Sequence, residues 1–263
     1  MRRKIQNFFT KSALESLRHL PNAMFRIKNW LPFVLNYAGF RDTAENYVFR
    51  GNGIINTVSG VDASSIYVVY FKKDYGTVYD KDIIIDIGAN IGVFSLYAAG
   101  QSPGAIIYAY EPNLSNYRIL KKNISKNALQ SRILAHNIGV AAEKGIKKLF
   151  IADSSPYHSI YQTSEQQHFI EMSCCSLKDI FDENTLERCN LLKIDCEGAE
   201  FEILYNTPKE YFEKIDCIRM EYHNRDLSGY NIGDLTHFLK KRHFQMVHKD
   251  TNALIAWFDR RVS

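Results

Sequence analysis

The chain has 263 residues, 46% hydrophobic and 24% charged, with a formal net charge of +4. That composition builds a packed core and excludes a disordered or fibrous chain. No apolar run approaches the roughly 20 residues of a membrane helix, and the basic start "MRRKIQNFF" leads into polar residues rather than a signal-peptide core.

Five cysteines show no framework spacing: Cys174 and Cys175 are adjacent, Cys189, Cys196 and Cys217 are scattered, and no C-x-x-C occurs. The pattern predicts reduced thiols, a cytoplasmic setting and no structural zinc site.

The positive charge is concentrated at the start. Residues 1–41 carry eight bases against Glu15 alone, a net of +7, which leaves 25 bases and 28 acids for the rest, a net of −3. Ile5, Phe8, Phe9, Ala13, Leu17 and Leu20 fall at helical spacing, and Pro21 is expected to end that helix. The apolar, aromatic stretch "NWLPFVLNYAGF" follows and closes at Gly39. Residues 1–46 therefore read as a basic helical extension. It either packs on the main domain or acts as a basic aromatic surface helix, which would hold a cytoplasmic protein peripherally at the inner membrane face.

The main domain is expected over residues 47–263. Its lead-in, 47–79, looks β-rich: "YVFRGNG" and "IINTV" flank a turn, and "SIYVVYFKK" reads as a further strand.

From Asp80 to the end the rhythm changes to alternating strands and helices. Strands are predicted at Ile83–Asp86, Ala105–Glu111, "RILAHNIGV", "KKLFIA", "HFIEMSCCSL", "NLLKIDC" and "DCIRMEY". Helices are predicted at Ile91–Ala99, from Leu114 to Ala128 with Asn113 as N-cap, at "AEFEILY", and through Ile232, Leu235 and Leu239. "FQMVHK" and "ALIAWF" form a terminal hairpin across Asp250–Asn252. The alternation implies an α/β fold: a mostly parallel sheet covered on both faces, with the hairpin adding one antiparallel strand.

In such a sheet ligands bind beyond the carboxyl ends of the strands. The first strand ends at Asp86 and runs into Gly88, Ala89, Asn90, Ile91 and Gly92. These glycines allow a sharp turn and a close ligand, and the helix start offers N–H groups. The loop fits neither the dinucleotide G-x-G-x-x-G nor the P-loop G-K-[ST]. Asp86 also suits an ammonium or a placed water better than a phosphate. Glu111, 25 residues on at the tip of the second strand, is placed to accept hydrogen bonds from both hydroxyls of a ribose. A ribose, an ammonium and no diphosphate together describe S-adenosylmethionine.

Three segments, "IIIDIGANIGVFSLYAA", "AYEPNLSNYRILKKNI" and "LLKIDCEGAEFEIL", resemble in order the signature segments of the FkbM family of S-adenosylmethionine-dependent methyltransferases. "RMEYH" resembles a later segment of that family, and the likeness covers roughly Tyr47 to Phe258. It implies a class I, Rossmann-like seven-stranded methyltransferase sheet of order 3-2-1-4-5-7-6, and methylation of a hydroxyl on a sugar, glycolipid, polysaccharide or secondary metabolite. The implied cofactor-binding set is Asp86, Gly88, Ala89, Asn90, Gly92, Glu111, Pro112, Asn113, Gly139 and Asp195. Gly139 enters through the adenine loop near Asn137–Val140.

A second cluster, "LLKIDCEGAE", places Lys193, Asp195, Glu197 and Glu200 at another strand tip. Strand alternation puts Lys193 and Asp195 on one face, and Glu221 and His223 of "MEYH" share another. In a methyltransferase this tip adjoins the methyl donor. The expected catalytic set is therefore His223, Asp195, Glu197, Glu221 and Lys193, with His223 or an acid taking a hydroxyl proton. Alternatively, Glu197 and Glu200 only favour a helix start and Lys193 only pairs a nearby acid. Asp195, Glu197, Glu221 and His223 are also ligand types for a divalent metal, but no metal is predicted. The acidic body, without a basic aromatic stripe, excludes nucleic acid as a partner. Rival readings are an N-methyltransferase on an amino acceptor, a nicotinamide oxidoreductase, which the glycine loop disfavours, and a non-catalytic S-adenosylmethionine-binding or membrane-tethered protein.

Overall fold

A computed structural model describes residues 20–51, 53–151, 158–159, 168–225 and 227–261. The predicted helical positions Ile5 to Leu17 lie outside the described residues.

The described chain begins with helices α1 (Leu20–Arg26) and α2 (Trp30–Tyr37), then a hairpin of β1 (Asn46–Phe49) and β2 (Gly53–Asn56), then α3 (Asp62–Ile66). The main domain follows as β3 (Ile83–Ile87), α4 (Val93–Gln101), β4 (Ile106–Tyr110), α5 (Leu114–Lys126), β5 (Ile133–His136), β6 (Gly139–Ala141), β7 (Gly145–Ile151), β8 (His158–Ser159) and β9 (His168–Ser176). It continues as α6 (Leu177–Glu183), β10 (Cys189–Ile194), α7 (Glu200–Tyr205), α8 (Lys209–Phe212), β11 (Ile215–Glu221), α9 (Ile232–Lys240), β12 (Phe244–Asp250) and β13 (Ile255–Arg260).

The central sheet has seven strands in the order β5-β4-β3-β10-β11-β13-β12. Counting only its own members along the chain, this is the expected 3-2-1-4-5-7-6 order. β13 runs antiparallel to both neighbours, and the other pairings are parallel. The continuous apolar runs follow from burial on both faces. Ile84 and Leu191 join a core with α4, α5 and the N-terminal elements, whereas their neighbours Ile85 and Leu192 join a second core with α6, α7 and α9.

Several elements depart from expectation. "SIYVVYFKK" is helical: α3 runs into a wider π-type turn over Tyr67–Lys72. Ala63, Ile66, Tyr67 and Phe71 face the core at helical spacing, so burial overrides the strand preference of the β-branched and aromatic residues. The chain is helical past Pro21, which is the second described residue of α1. "RILAHNIGV" divides: β5 completes the central sheet, while β6 crosses into a separate four-stranded sheet, β6-β9-β7-β8. Finally, α6 was not expected, although Ser176 and Asp179 form a capping box at its start.

The N-terminal elements are not a loose appendage. Ala23, Ile27 and Phe33 are fully buried in the same core as Ile84.

Candidate active site

The donor-side loop needs left-handed backbone at three positions: Gly88 (φ 74°), Asn90 (φ 51°) and Gly92 (φ 90°). Its glycines serve the fold more directly than a ligand. A Cβ on Gly88 would run into the carbonyl oxygen of Asp195, and one on Gly92 would come within 2.5 Å of Leu120 Cδ1. Nor are the loop's N–H groups open, as the sequence had suggested. Gly88 and Ala89 both donate to Tyr110 O at 3.0 Å, and Gly92 donates to Ala89 O at 2.8 Å. Asn90 N donates to Glu111 Oε2 at 2.8 Å. A diphosphate would find these four donors already used. Ala89 is buried, so its methyl faces the core.

Glu111 closes the loop against β4. It is 5% exposed, and its other oxygen, Oε1, accepts from Asn113 N at 2.8 Å. Burial pushes its pKa up to about 7, against the lowering effect of those two N–H groups and Lys193. Each carboxylate oxygen holds one N–H and keeps a lone pair, which is what recognition of a vicinal diol requires. These two acceptors fit the ribose hydroxyls of S-adenosylmethionine. The side chain of Asn113 is occupied elsewhere, capping α5 through Ser115 N and Asn116 N. Asn137 Nδ2 clips the carbonyls of Glu111 and Pro112 at 2.9 Å each. Gly139 is buried in β6, where a Cβ would lie 3.0 Å from Met172 Sδ and Cys174 Sγ. The His136 ring stacks on Tyr110 at 4.8 Å.

Asp86 does meet an ammonium, but the protein's own. β3 and β10 pair so that Lys193 stands opposite Asp86. Lys193 Nζ lies 3.0 Å from Asp86 and 3.6 Å from Asp195, with exposures of 3% for Lys193 and 0% for Asp86. It also donates to Gly88 O at 2.7 Å and Ile87 O at 3.3 Å. Burial opposes the lysine's charge, but Asp86 and Asp195 outweigh it and raise the pKa. The Lys193 ammonium is therefore engaged by Asp86 and by the carbonyls of the donor loop. Ser95 Oγ donates to Asp86 at 2.6 Å, and Tyr75 OH donates to Asp195 Oδ2 at 2.8 Å.

Beyond the tips of β10 and β11, the acids gather around one imidazole. Glu197 adopts φ 54° and Gly198 φ 111°, which turns the chain into α7. Glu200, fully buried, accepts from Gly198 N at 2.9 Å and from His223 Nδ1 at 3.0 Å. The far ring nitrogen of His223 lies 3.3 Å from Glu197 and 3.5 Å from Glu221. Burial works against the imidazolium, yet the three glutamates outweigh it and push the His223 pKa up to about 11. Burial, with Asp195 adding to it, pushes Glu197 up to about 8, against the opposing effect of His223. Glu221 is raised as well, chiefly by burial. At neutral pH His223 thus already carries its proton. Asp195, Glu197 and Glu221 are the partly open acids, 24–28% exposed at the side chain.

Sequence reasoning missed Tyr75, Ser95 and Asn123. Asn123, fully buried on α5, donates to Ile91 O at 2.8 Å and to Asn56 O at 3.0 Å. Its Oδ1 accepts from Asn56 N and Nδ2 at 2.7 Å each. It thereby ties the N-terminal hairpin to the donor loop. Asn123 and Asn127, four apart on a helix, were the available signal, since Asn127 makes the same kind of pair with Ile54.

Residues 86–246 match the family described as the methyltransferase FkbM domain. Among curated proteins, the chain is 27% identical over 197 residues to Methyltransferase sdnD of Sordaria araneosa, covering 62% of this chain and 76% of that protein. It is 24% identical over 196 residues to 31-O-demethyl-FK506 methyltransferase FkbM of Streptomyces tacrolimicus, covering 63% and 74%. Among solved structures it resembles Methyltransferase FkbM from Methylobacillus flagellatus KT, with a TM-score of 0.51 and 17% identity, over 73% of this chain. The match spans about half, 47%, of that chain, and at this identity it shows the fold alone.

Proposed function

The chain belongs to the FkbM family of S-adenosylmethionine-dependent methyltransferases, and from that premise we propose that it methylates a hydroxyl of a small-molecule or glycan acceptor: a sugar, a glycolipid or polysaccharide, or a secondary metabolite. The observation that carries the reading is the pair of partly open carboxylates, Glu197 and Glu221, held beside an imidazolium just past the donor loop. One relative supports it by name, since the Streptomyces tacrolimicus protein is a methyltransferase of 31-O-demethyl-FK506.

S-adenosylmethionine, when bound, supplies an electrophilic methyl on a sulfonium. Glu111 would hold the ribose hydroxyls, while Asn90 and the Gly88–Gly92 turn would shape the wall beside the methionine moiety. Asp86 and Lys193 neutralise each other and fix that wall against β10. The acceptor hydroxyl lies toward Asp195, Glu197 and Glu221. A carboxylate, Glu197 first, would accept the proton of that hydroxyl. A group with a pKa near 8 is well matched to that task. His223 stays protonated, orients both glutamates through Nε2, and is itself oriented by Glu200. Positioning of the two reactants supplies much of the rate.

The test compares glycolipid, polysaccharide and small-molecule extracts from cells with the gene intact and deleted. A methyl-mass difference on an oxygen, restored by the purified protein and S-adenosylmethionine, is the expected result. A methyl found on nitrogen instead would replace the hydroxyl reading with an amino acceptor. Absence of cofactor binding by calorimetry, with folded protein at millimolar cofactor, would overturn the donor assignment.

A further inference from the structure

The face built by α1, the start of α2 and the edge of β1 has no part in the donor or acceptor geometry. An isolated antiparallel bridge joins Ile27 to Phe49. Lys28 N donates to Val48 O and Arg50 N to Arg26 O, both at 2.8 Å. Ile27 and Phe49 are buried by this bridge. Side chains on either side of such a pair alternate outward, and Arg26, Lys28 and Arg50 are indeed exposed. None of the three makes an ion pair among the described residues. Next to them stand large apolar side chains turned to solvent: Phe25 is 77% exposed, Leu31 52% and Met24 45%.

We propose that this face docks on a membrane surface rich in anionic lipid. A polyanion alone would use the three cations and leave Phe25, Leu31 and Met24 in water. A lipid headgroup region takes both kinds of side chain, with the apolar ones entering the acyl boundary and the cations meeting the headgroups. The charge division along the chain favours one orientation, because residues 20–41 carry Arg26, Lys28 and Arg41 with no acid, a net of +3, while residues 42–263 carry −3. The body is repelled from the same surface that attracts this face. The proposal is independent of which hydroxyl is methylated.

The experiment is flotation of the full chain with phosphatidylcholine vesicles, with and without 30% phosphatidylglycerol, at low and at 0.5 M salt. The chain is expected to float with the anionic vesicles at low salt, and to stay at the bottom with the neutral ones. Each base near such a surface contributes roughly fivefold in partition, so Arg26→Gln/Lys28→Gln/Arg50→Gln should weaken partition on the order of a hundredfold. Phe25→Ser/Leu31→Ser should also weaken it, and more of its residual binding should be lost in salt. Unchanged thermal melting and unchanged cofactor binding by calorimetry show that these variants remain folded. Three results each overturn the proposal: no flotation of the parent chain with anionic vesicles, parent-like partition of the triple variant, or binding to heparin without binding to vesicles.

Discussion

Replacing Lys193 by methionine tests the account of the donor wall most directly. Methionine keeps the apolar stem and approximate volume but removes the ammonium. Asp86, 0% exposed, would then keep only the Ser95 hydroxyl as a side-chain partner, and Gly88 O would lose its 2.7 Å donor. Breaking one side of a buried ion pair costs about 3–5 kcal/mol, because the other charge stays in a low-dielectric setting. Adding Asp86→Asn removes that charge and keeps an acceptor for Ser95. The double variant should therefore recover at least ~2 kcal/mol over Lys193→Met alone. Urea unfolding followed by circular dichroism measures both, provided the slope with denaturant is unchanged. A cost under about 1 kcal/mol for Lys193→Met, or simple additivity in the double variant, would refute the claim that Lys193 is held in place by Asp86.

Three further outcomes are expected. The kcat/KM profile should rise with pH through about 8, the Glu197 value, and show no inflection near 6.5, the ordinary value from which His223 is displaced; Glu197→Gln should abolish the rise. His223 has a folded pKa raised to about 11, so its stabilising contribution is complete below about 6.5 and declines as pH climbs toward 11. The stability deficit of His223→Gln, measured by urea titration across that range, should shrink as pH rises; a constant deficit would contradict the imidazolium. Asn123→Ala should cost about 2–4 kcal/mol from the orphaned groups of Asn56 and Ile91, and should raise the cofactor Kd while leaving the acceptor KM in place; an unchanged Kd would mean that the hairpin does not brace the donor loop.

Much of the main domain was legible because its signals are local. The apolar runs of β3 and β10 and the helical spacing in α5 follow from burial, and the Asn113 cap follows from hydrogen bonding within one turn. The lead-in was read wrongly where propensity and packing conflict. "SIYVVYFKK" is rich in residues that favour strands, but Ala63, Ile66 and Tyr67 pack as one helical face against the core. The division of "RILAHNIGV" between two sheets has no local mark, because both halves are apolar and the choice depends on partners β4 and β9.

The candidate site divides along the same line. Which residues could take part was visible in the chain: an acid ending β3, an acid after β4, and a lysine with acids at the tip of β10. Their identities and spacing need no fold to be read. What each residue does was decided by tertiary neighbours, because pairing and burial set the charge of an ionisable group. Opposite Lys193, Asp86 is half of a buried ion pair rather than an open acid. Three glutamates from two segments surround His223 and push its pKa up, which is why the proposed proton acceptor is a carboxylate. A histidine two residues from one acid reads as a base along the chain; enclosed by three acids in space, it is a cation.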